Sequence, residues 1–258
     1  MRDKQILIAG YGYVGKAVHK LFKNVDVYDP YITGLDINIE MFDYEYCMVC
    51  ASTPMNEDGS CNFSAIEDIV SKVSAEVFII RSTMPPSALD KLRMEYGAHV
   101  VFQPEYVASS SPYPAPMDDI KKHPFIVLGG DKVSVKKVRR LYETVYPPTT
   151  RILETDMQTA SVIKYAENCF IATKVTFCNE LYNICEATGV DYDVVKEGVF
   201  DLDPRMNTWW TNIYKDNRGW GGHCLPKDVR AIIEESMSEG YNPLFLADLV
   251  FNNKRHKT

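Results

Sequence analysis

The sequence predicts an α/β chain: a parallel sheet covered by helices, followed by a mostly helical region. Three observations carry this. Short apolar runs alternate with helical stretches through the first half. Those runs are almost continuously apolar, as strands buried on both faces are. Past Tyr146-Pro147-Pro148-Thr149-Thr150 the character changes, and a long helical period begins near Glu154. The division predicts a sheet domain over residues 1–152 and an all-helical domain over 153–258.

Taken in order, Gln5–Ala9 reads as a strand, Lys16–Phe22 as a helix and Val25–Tyr28 as a strand. Strands follow at Cys47–Cys50, Val77–Ile80, His99–Phe102 and Phe125–Leu128, with helices at Phe63–Val73 and Ser87–Tyr96. Turn-rich segments such as Ser82–Pro86 and Ser109–Pro112 follow the strands. The long helix runs to Ala187 with Gly189 as its C-cap, and shorter helices are expected at Tyr192–Gly198, Asp228–Ser238 and Pro243–Phe251.

Composition narrows the function classes. Of 258 residues, 28 are Lys or Arg and 35 Asp or Glu, a net charge of -7, which argues against a nucleic-acid surface. The basic run Lys254-Arg255-His256-Lys257 is expected to be a solvated tail. No apolar run reaches the roughly 18 residues a membrane span needs. The first apolar run is too short for a signal-peptide core, so a cytoplasmic location is expected. Seven cysteines, an odd count without a signal, argue against a disulfide framework. Cys47 and Cys50 have metal-pair spacing, but residues three apart on a strand face opposite ways. Core packing is expected there, and no metal site.

Gly10-Tyr11-Gly12-Tyr13-Val14-Gly15 follows the first strand and opens the first helix. The first glycine allows the tight turn, the second lets a pyrophosphate approach the backbone, and the third lets helix pack on strand. The helix start offers free N–H groups to phosphate. Asp29 ends the second strand, where a carboxylate can hold ribose hydroxyls. Pro30 and Tyr31 follow it, with no Arg or Lys for a 2′-phosphate. A Rossmann-type dinucleotide site for NAD, in preference to NADP, is expected.

Gly219-Trp220-Gly221-Gly222-His223-Cys224-Leu225-Pro226-Lys227-Asp228 places a thiol after a glycine loop. Pro226 suits a first helical turn, so Cys224 is expected at a helix N-terminus beside His223 and Lys227, a setting that activates a thiol. Cys61 lies in another polar loop. Lys164 and Asn168, four apart, share a helix face. On that spacing alone they read either as a solvated face or as groups that steer a proton and stabilise an oxyanion.

The Cys224 stretch resembles the glycine–cysteine signature of nucleotide-sugar 6-dehydrogenases of the UDP-glucose dehydrogenase type. Further blocks match in order: the glycine turn, Ser52-Thr53-Pro54, Arg81–Pro86, Gln103-Pro104-Glu105-Tyr106, Lys164–Asn168, Asn179-Glu180-Leu181 and Asp203-Pro204-Arg205-Met206. The resemblance implies two NAD-dependent oxidations of a sugar C6 alcohol to the carboxylate, with UDP-glucose the first substrate it suggests. Cys224 would form a thiohemiacetal and then a thioester. Lys164 and Asn168 would hold the C6 oxygen, Asp228 a water, Glu105 would be general base for hydrolysis, and Thr83 would position its water. Cofactor contacts would fall on Gly10, Gly12, Tyr13, Val14, Gly15, Asp29, Ser52, Thr53, Thr83 and Lys227. Substrate contacts would fall on Glu105, Lys164, Asn168, Arg205, Gly221 and Gly222. Arg205 would act from a neighbouring subunit, implying a homodimer joined through the helical half.

Departures from the family pattern are also visible. A C-terminal nucleotide-binding domain would begin about where this chain ends, and one βα unit between Asp29 and Thr53 is trimmed. Ser109 stands in an acidic place, and extra residues, including Trp209 and Trp210, separate Arg205 from Cys224. These tryptophans are expected to pack apolarly, with stacking on a base or sugar as the other reading. Two further functions stay open: an NAD-binding regulatory relative without sugar oxidation, and a two-domain β-hydroxyacid-type dehydrogenase.

Overall fold

The computed structural model describes residues 6–107 and 119–257; Gln5 and Ser109 lie outside them. The chain divides into two compact units, Met1–Asn56 with Cys61–Lys164, and Glu57–Ser60 with Tyr165–Thr258.

The first unit holds β1 (Ile6–Ala9), β2 (Asp26–Tyr28), β3 (Asp43–Val49), β4 (Ser74–Ile80), β5 (Val100–Phe102), β6 (Phe125–Gly130) and β7 (Arg151–Thr155). Its helices are α1 (Tyr13–His19), α2 (Ser64–Lys72), α3 (Pro86–Tyr96) and α4 (Lys132–Glu143). The strands form one sheet in the order β2-β1-β3-β4-β5-β6-β7. Pairing is parallel except between β5 and β6, where Val101 faces Gly130 in an antiparallel register. The expected parallel sheet is thus present with one antiparallel pair, a neighbour that needs no crossover helix. Between β2 and β3 the described chain makes one 3-10 turn, Ile39–Met41, in keeping with a trimmed βα unit.

Alternation along the strands sends side chains to two cores. Leu7, Cys47, Val49, Phe78 and Ile80 pack on one face. Ile8, Met48, Val77 and Ile79 pack on the other. Cys47 joins the first core and Cys50 lies against the second, the opposition expected of residues three apart. Two elements escaped the sequence reading. β7 holds only exposed and half-buried residues and lacks an apolar run. In α4 the buried Val135, Val138 and Tyr142 are diluted by five basic residues on the outer face. Asp131 caps α4 by accepting from the N–H groups of Val133 and Ser134.

Helix α5 (Met157–Thr188) runs 32 residues and stops at Gly189, whose φ of +70° is left-handed. The second unit adds α6 (Tyr192–Lys196), continued by a π-turn over Glu197–Asp201, then α7 (Cys224–Ser238) and α8 (Leu244–His256). Cys169, Ala172, Trp220, Val229, Ile233 and Leu249 form one of its cores. Three expectations are corrected. Helix α7 starts at Cys224, earlier than Asp228, because Pro226 lies in the first turn, where its missing N–H would be unbonded anyway. The basic tail is the last turn of α8, and His256 is buried within it. Trp209 and Trp210 are exposed, and Trp220 fills the apolar core instead. Among the described residues, no helix is long and apolar enough to cross a membrane.

Candidate active site

The glycine turn of the first unit sits on the C-terminal edge of the sheet. The Gly10 N–H donates to the Tyr28 carbonyl at 2.8 Å, tying the turn to β2. The backbone of Gly10 is left-handed at φ +94°, and a Cβ there would lie 2.8 Å from the Ala51 nitrogen. A Cβ on Gly15 would meet the Gly10 carbonyl oxygen at 2.0 Å. Both positions therefore need glycine for the turn itself. Gly12 differs: a Cβ there would meet nothing within 4 Å. It caps α1 at the surface, where a pyrophosphate could approach. Tyr13 is exposed beside it, and Val14 packs on the core.

Asp29 closes the cradle. Its carboxylate accepts the Tyr11 N–H at 2.8 Å and the Tyr31 N–H at 3.0 Å. Each oxygen takes one N–H and keeps acceptor capacity for a ribose hydroxyl. Ser52 is exposed after β3, and Thr53 is buried, its Oγ1 donating to the Thr83 carbonyl at 3.1 Å. The donor set and the open space at Gly12 fit a dinucleotide.

Further along the same edge, Arg81, Gln103 and Glu105 follow β4 and β5. Arg81 is 1% exposed. Its guanidinium donates to Gln103 Oε1 at 2.6 Å and pairs with Glu105 Oε2. The other Glu105 oxygen accepts the N–H groups of Tyr106 at 2.7 Å and Val107 at 2.6 Å. Burial works to raise the proton affinity of Glu105, but the Arg81 charge, with the Val107 N–H and His123, holds it below the ordinary value. Lys164 is 9% exposed, with its ammonium 4.7 Å from the centre of the Tyr106 ring. The solvated-face reading of Lys164 is thereby corrected. Arg81 and Gln103 were not singled out in the sequence; they stood inside the quoted blocks, but nothing local pairs them with Glu105.

In the second unit, Cys224 is the first residue of α7 and is exposed. His223 occupies the N-cap without a side-chain cap bond. Asp228, one turn along the helix, is 1% exposed. It accepts the Asn168 amide at 2.6 Å and the Lys227 ammonium at 2.5 Å. Asn168, 4% exposed, is thus no solvated residue either. Other thiols are poorly suited to act as nucleophiles. Burial, aided by the Asp228 charge, pushes Cys169 up to about 12, and burial likewise pushes Cys50 up to about 12. Cys61 is half-buried, with its Sγ 3.8 Å from the Thr83 carbonyl.

The loop before Cys224 is pinned by residues to which the sequence reading gave no role. Trp220 is buried, and its indole N–H donates to Thr176 Oγ1 at 2.9 Å. Asn179 Oδ1 accepts from Arg218 Nε at 3.0 Å and the Gly219 N–H at 3.2 Å. Gly219 is left-handed at φ +72°, and a Cβ on it would lie 2.4 Å from Asn253 Oδ1. Gly222 is exposed at φ +76°, while a Cβ on Gly221 would meet only the flexible end of Lys257, at 2.8 Å. Arg205 stands out in solvent, its guanidinium 2.6 Å from Asp203.

A glycine turn on a mostly parallel sheet, with a carboxylate ending the next strand, defines the first unit as a Rossmann-class dinucleotide-binding domain. The chain belongs to the UDP-glucose/GDP-mannose dehydrogenase family: residues 31–146 match its NAD binding domain and residues 158–255 its central domain. The glycine turn precedes the matched span. A UDP-glucose 6-dehydrogenase of Pseudomonas aeruginosa is 29% identical over 232 residues, 83% of this chain and 49% of that protein. UDP-glucose 6-dehydrogenase AglM of Haloferax volcanii is 28% identical over 235 residues, 80% of this chain and 51% of that protein. The chain spans about half the length of these curated relatives. Among solved structures, a UDP-glucose dehydrogenase from Pyrobaculum islandicum superposes with TM-score 0.79 at 23% identity, covering 98% of this chain and 68% of that one. A UDP-D-ManNAc dehydrogenase from Pyrococcus horikoshii gives 0.80 at 20% identity, covering 97% and 68%. Both share the fold.

Proposed function

We propose that this chain oxidises the C6 alcohol of a nucleotide sugar to the carboxylate in two NAD-dependent steps through a thioester on Cys224. The observation that carries the reading is the exposed Cys224 thiol at the head of α7, behind a pinned glycine loop and one turn from the buried Asn168–Asp228 pair. NAD, exchanged for a fresh molecule between the two oxidations, would supply one hydride acceptor for each, and the family match with the Gly12 opening supports its place. Gly10, Gly12 and Gly15 shape its turn, with Tyr13, Val14, Ser52, Thr53 and Lys227 as further contacts, and Asp29 holds ribose hydroxyls.

Each remaining group has one task. Lys164 and Asn168 hold the C6 oxygen, and Lys164 assists transfer of the hydroxyl proton. The Cys224 sulfur adds to the aldehyde carbon, which keeps the aldehyde from escaping; oxidation of that thiohemiacetal leaves a thioester. Water positioned by Thr83 and Asp228 then attacks the thioester carbonyl, Glu105 takes the water proton, and the thiol leaves as the carboxylate forms. Gly221 and Gly222 give the sugar close approach to backbone. Arg205, exposed and paired with Asp203, serves the site of a second copy. That requires a homodimer. Phe170, Phe177 and Ile184, spaced seven apart on α5, are 68%, 56% and 52% exposed and supply an apolar stripe for it. A cytoplasmic setting suits this chemistry.

The test is a count of NADH formed per sugar consumed, first with UDP-glucose and then with other nucleotide sugars. Two per sugar, abolished in Cys224→Ala, is the expected result. One per sugar, indifferent to that substitution, would indicate a single-step hydroxyacid-type dehydrogenase. NAD binding without any NADH would indicate a regulatory relative.

A further inference from the structure

A guanidinium as deeply buried as that of Arg81 is unfavourable unless its charge and its N–H groups are met. Its charge and its two terminal nitrogens are met by two side chains that follow the next strand, while the buried Nε has no partner. Arg81 lies just past β4, Gln103 and Glu105 just past β5, so adjacent strands bring them into register. The arrangement is itself braced from α4: Gln103 Oε1 accepts both from Arg81 and from the Tyr142 hydroxyl.

The lone pairs of Glu105 can be counted. An ionised carboxylate offers about four acceptor sites. Oε1 is filled by the N–H groups of Tyr106 and Val107. Oε2 takes one hydrogen bond from Arg81. One site on Oε2 is left, on a side chain 10% exposed. We propose that Arg81 is the positioning residue for Glu105, turning the carboxylate so that the remaining lone pair of Oε2 is the proton acceptor. This rests on the reading of Glu105 as the hydrolytic base. The same pairing keeps the carboxylate ionised although it is buried, so a proton acceptor is present well below neutral pH. A base so arranged is weak but correctly aimed, and orientation compensates for strength when the attacking water is already held.

The experiment uses the full chain with the variants Arg81→Lys, Arg81→Met and Glu105→Gln, each checked for NAD binding. Protein labelled with 13C at the glutamate side-chain carboxyls is titrated by NMR, and the Glu105 signal is identified by its loss in Glu105→Gln. In Arg81→Met the Glu105 midpoint should rise by on the order of one to three pH units. The acid limb of the pH profile for thioester hydrolysis should rise by the same amount. Arg81→Lys keeps the charge but loses the planar fork that reaches Gln103 and Glu105 from two nitrogens, and should shift both midpoints the same way by less; it decides the matter if Arg81→Met does not fold. If the Glu105 midpoint stays put in both variants, the clamp is refuted. If the midpoint moves while the hydrolysis profile does not, or the wild type hydrolyses no thioester, the reading of Glu105 as base fails and the proposal with it.

Discussion

Asn253 and Trp220 close a two-membered hydrogen-bond ring: the Trp220 N–H donates to Asn253 Oδ1 at 2.8 Å, and Asn253 Nδ2 donates to the Trp220 carbonyl at 2.9 Å. The side-chain amide of Asn253 on α8 thus takes the place of a backbone partner for Trp220. Both groups are buried, so removing one partner leaves a desolvated N–H and C=O. Asn253→Ala should lower stability by about 1–3 kcal/mol, read from the urea midpoint. Asn253→Asp should cost a similar amount, because its second oxygen faces the Trp220 carbonyl. The loop sets Cys224, so turnover should fall about ten- to a hundredfold while NAD affinity is unchanged. Unchanged turnover would show that the loop holds its shape without α8.

Two glycines of the Gly10–Gly15 turn should fail in different ways. Gly15→Ala forces a Cβ 2.0 Å from the Gly10 carbonyl and should destabilise the fold by about 1–3 kcal/mol. Gly12→Ala adds a methyl to open space and should melt like the wild type. It should nonetheless lose the rise in melting temperature that NAD gives the wild type, since the methyl occupies the approach of the pyrophosphate. A Gly12→Ala protein still stabilised by NAD would move the dinucleotide away from this turn.

His256 makes stability depend on pH. Its pKa is lowered, first by burial and then by the Arg218 charge, with Arg255 adding to this and Glu180 opposing it from 3.8 Å. Folded His256 therefore binds a proton less readily than it does in the unfolded chain, where about 6.5 is usual. Its contribution is fully present above that value and is lost as pH falls through the lower folded pKa. Denaturant midpoints should drop over this acid window, and His256→Gln should flatten the drop. An identical slope in the variant would assign the titration elsewhere.

What could be read from the sequence was local. The Gly10–Gly15 turn and Asp29 are legible because their demands lie within a strand, a turn and a helix start. Cys224 at the head of α7 follows from the glycines before it and Pro226 after it. Contacts between distant segments were not legible. Arg81 meets Glu105 across 24 residues and Trp220 meets Asn253 across 33. Composition also misled: the basic residues of the last helical turn concealed the buried series Leu249, Asn253 and His256, which recurs at helical spacing. On spacing alone Lys164 and Asn168 stayed open between a solvated face and a proton-steering pair, because Lys is seldom buried, and only the structure brings Tyr106 against Lys164 and Asp228 against Asn168.

The apolar stripe on α5 gives the last prediction. Phe170, Phe177 and Ile184 recur every seven residues, so they follow one face of a long helix with little drift. Leaving two phenylalanines and an isoleucine in water forgoes about 1.5–3 kcal/mol for each side chain. Pairing two such stripes recovers that energy symmetrically, since the same patch serves both copies. Sedimentation analysis should therefore find the wild type dimeric at micromolar concentration. Phe177→Glu places a charge in the middle of the stripe and should yield monomers whose circular dichroism is unchanged. If Arg205 serves the partner's site, those monomers should bind NAD normally and turn over sugar poorly. A wild type that sediments as a monomer, or a Phe177→Glu protein that stays dimeric, would remove this face from the interface.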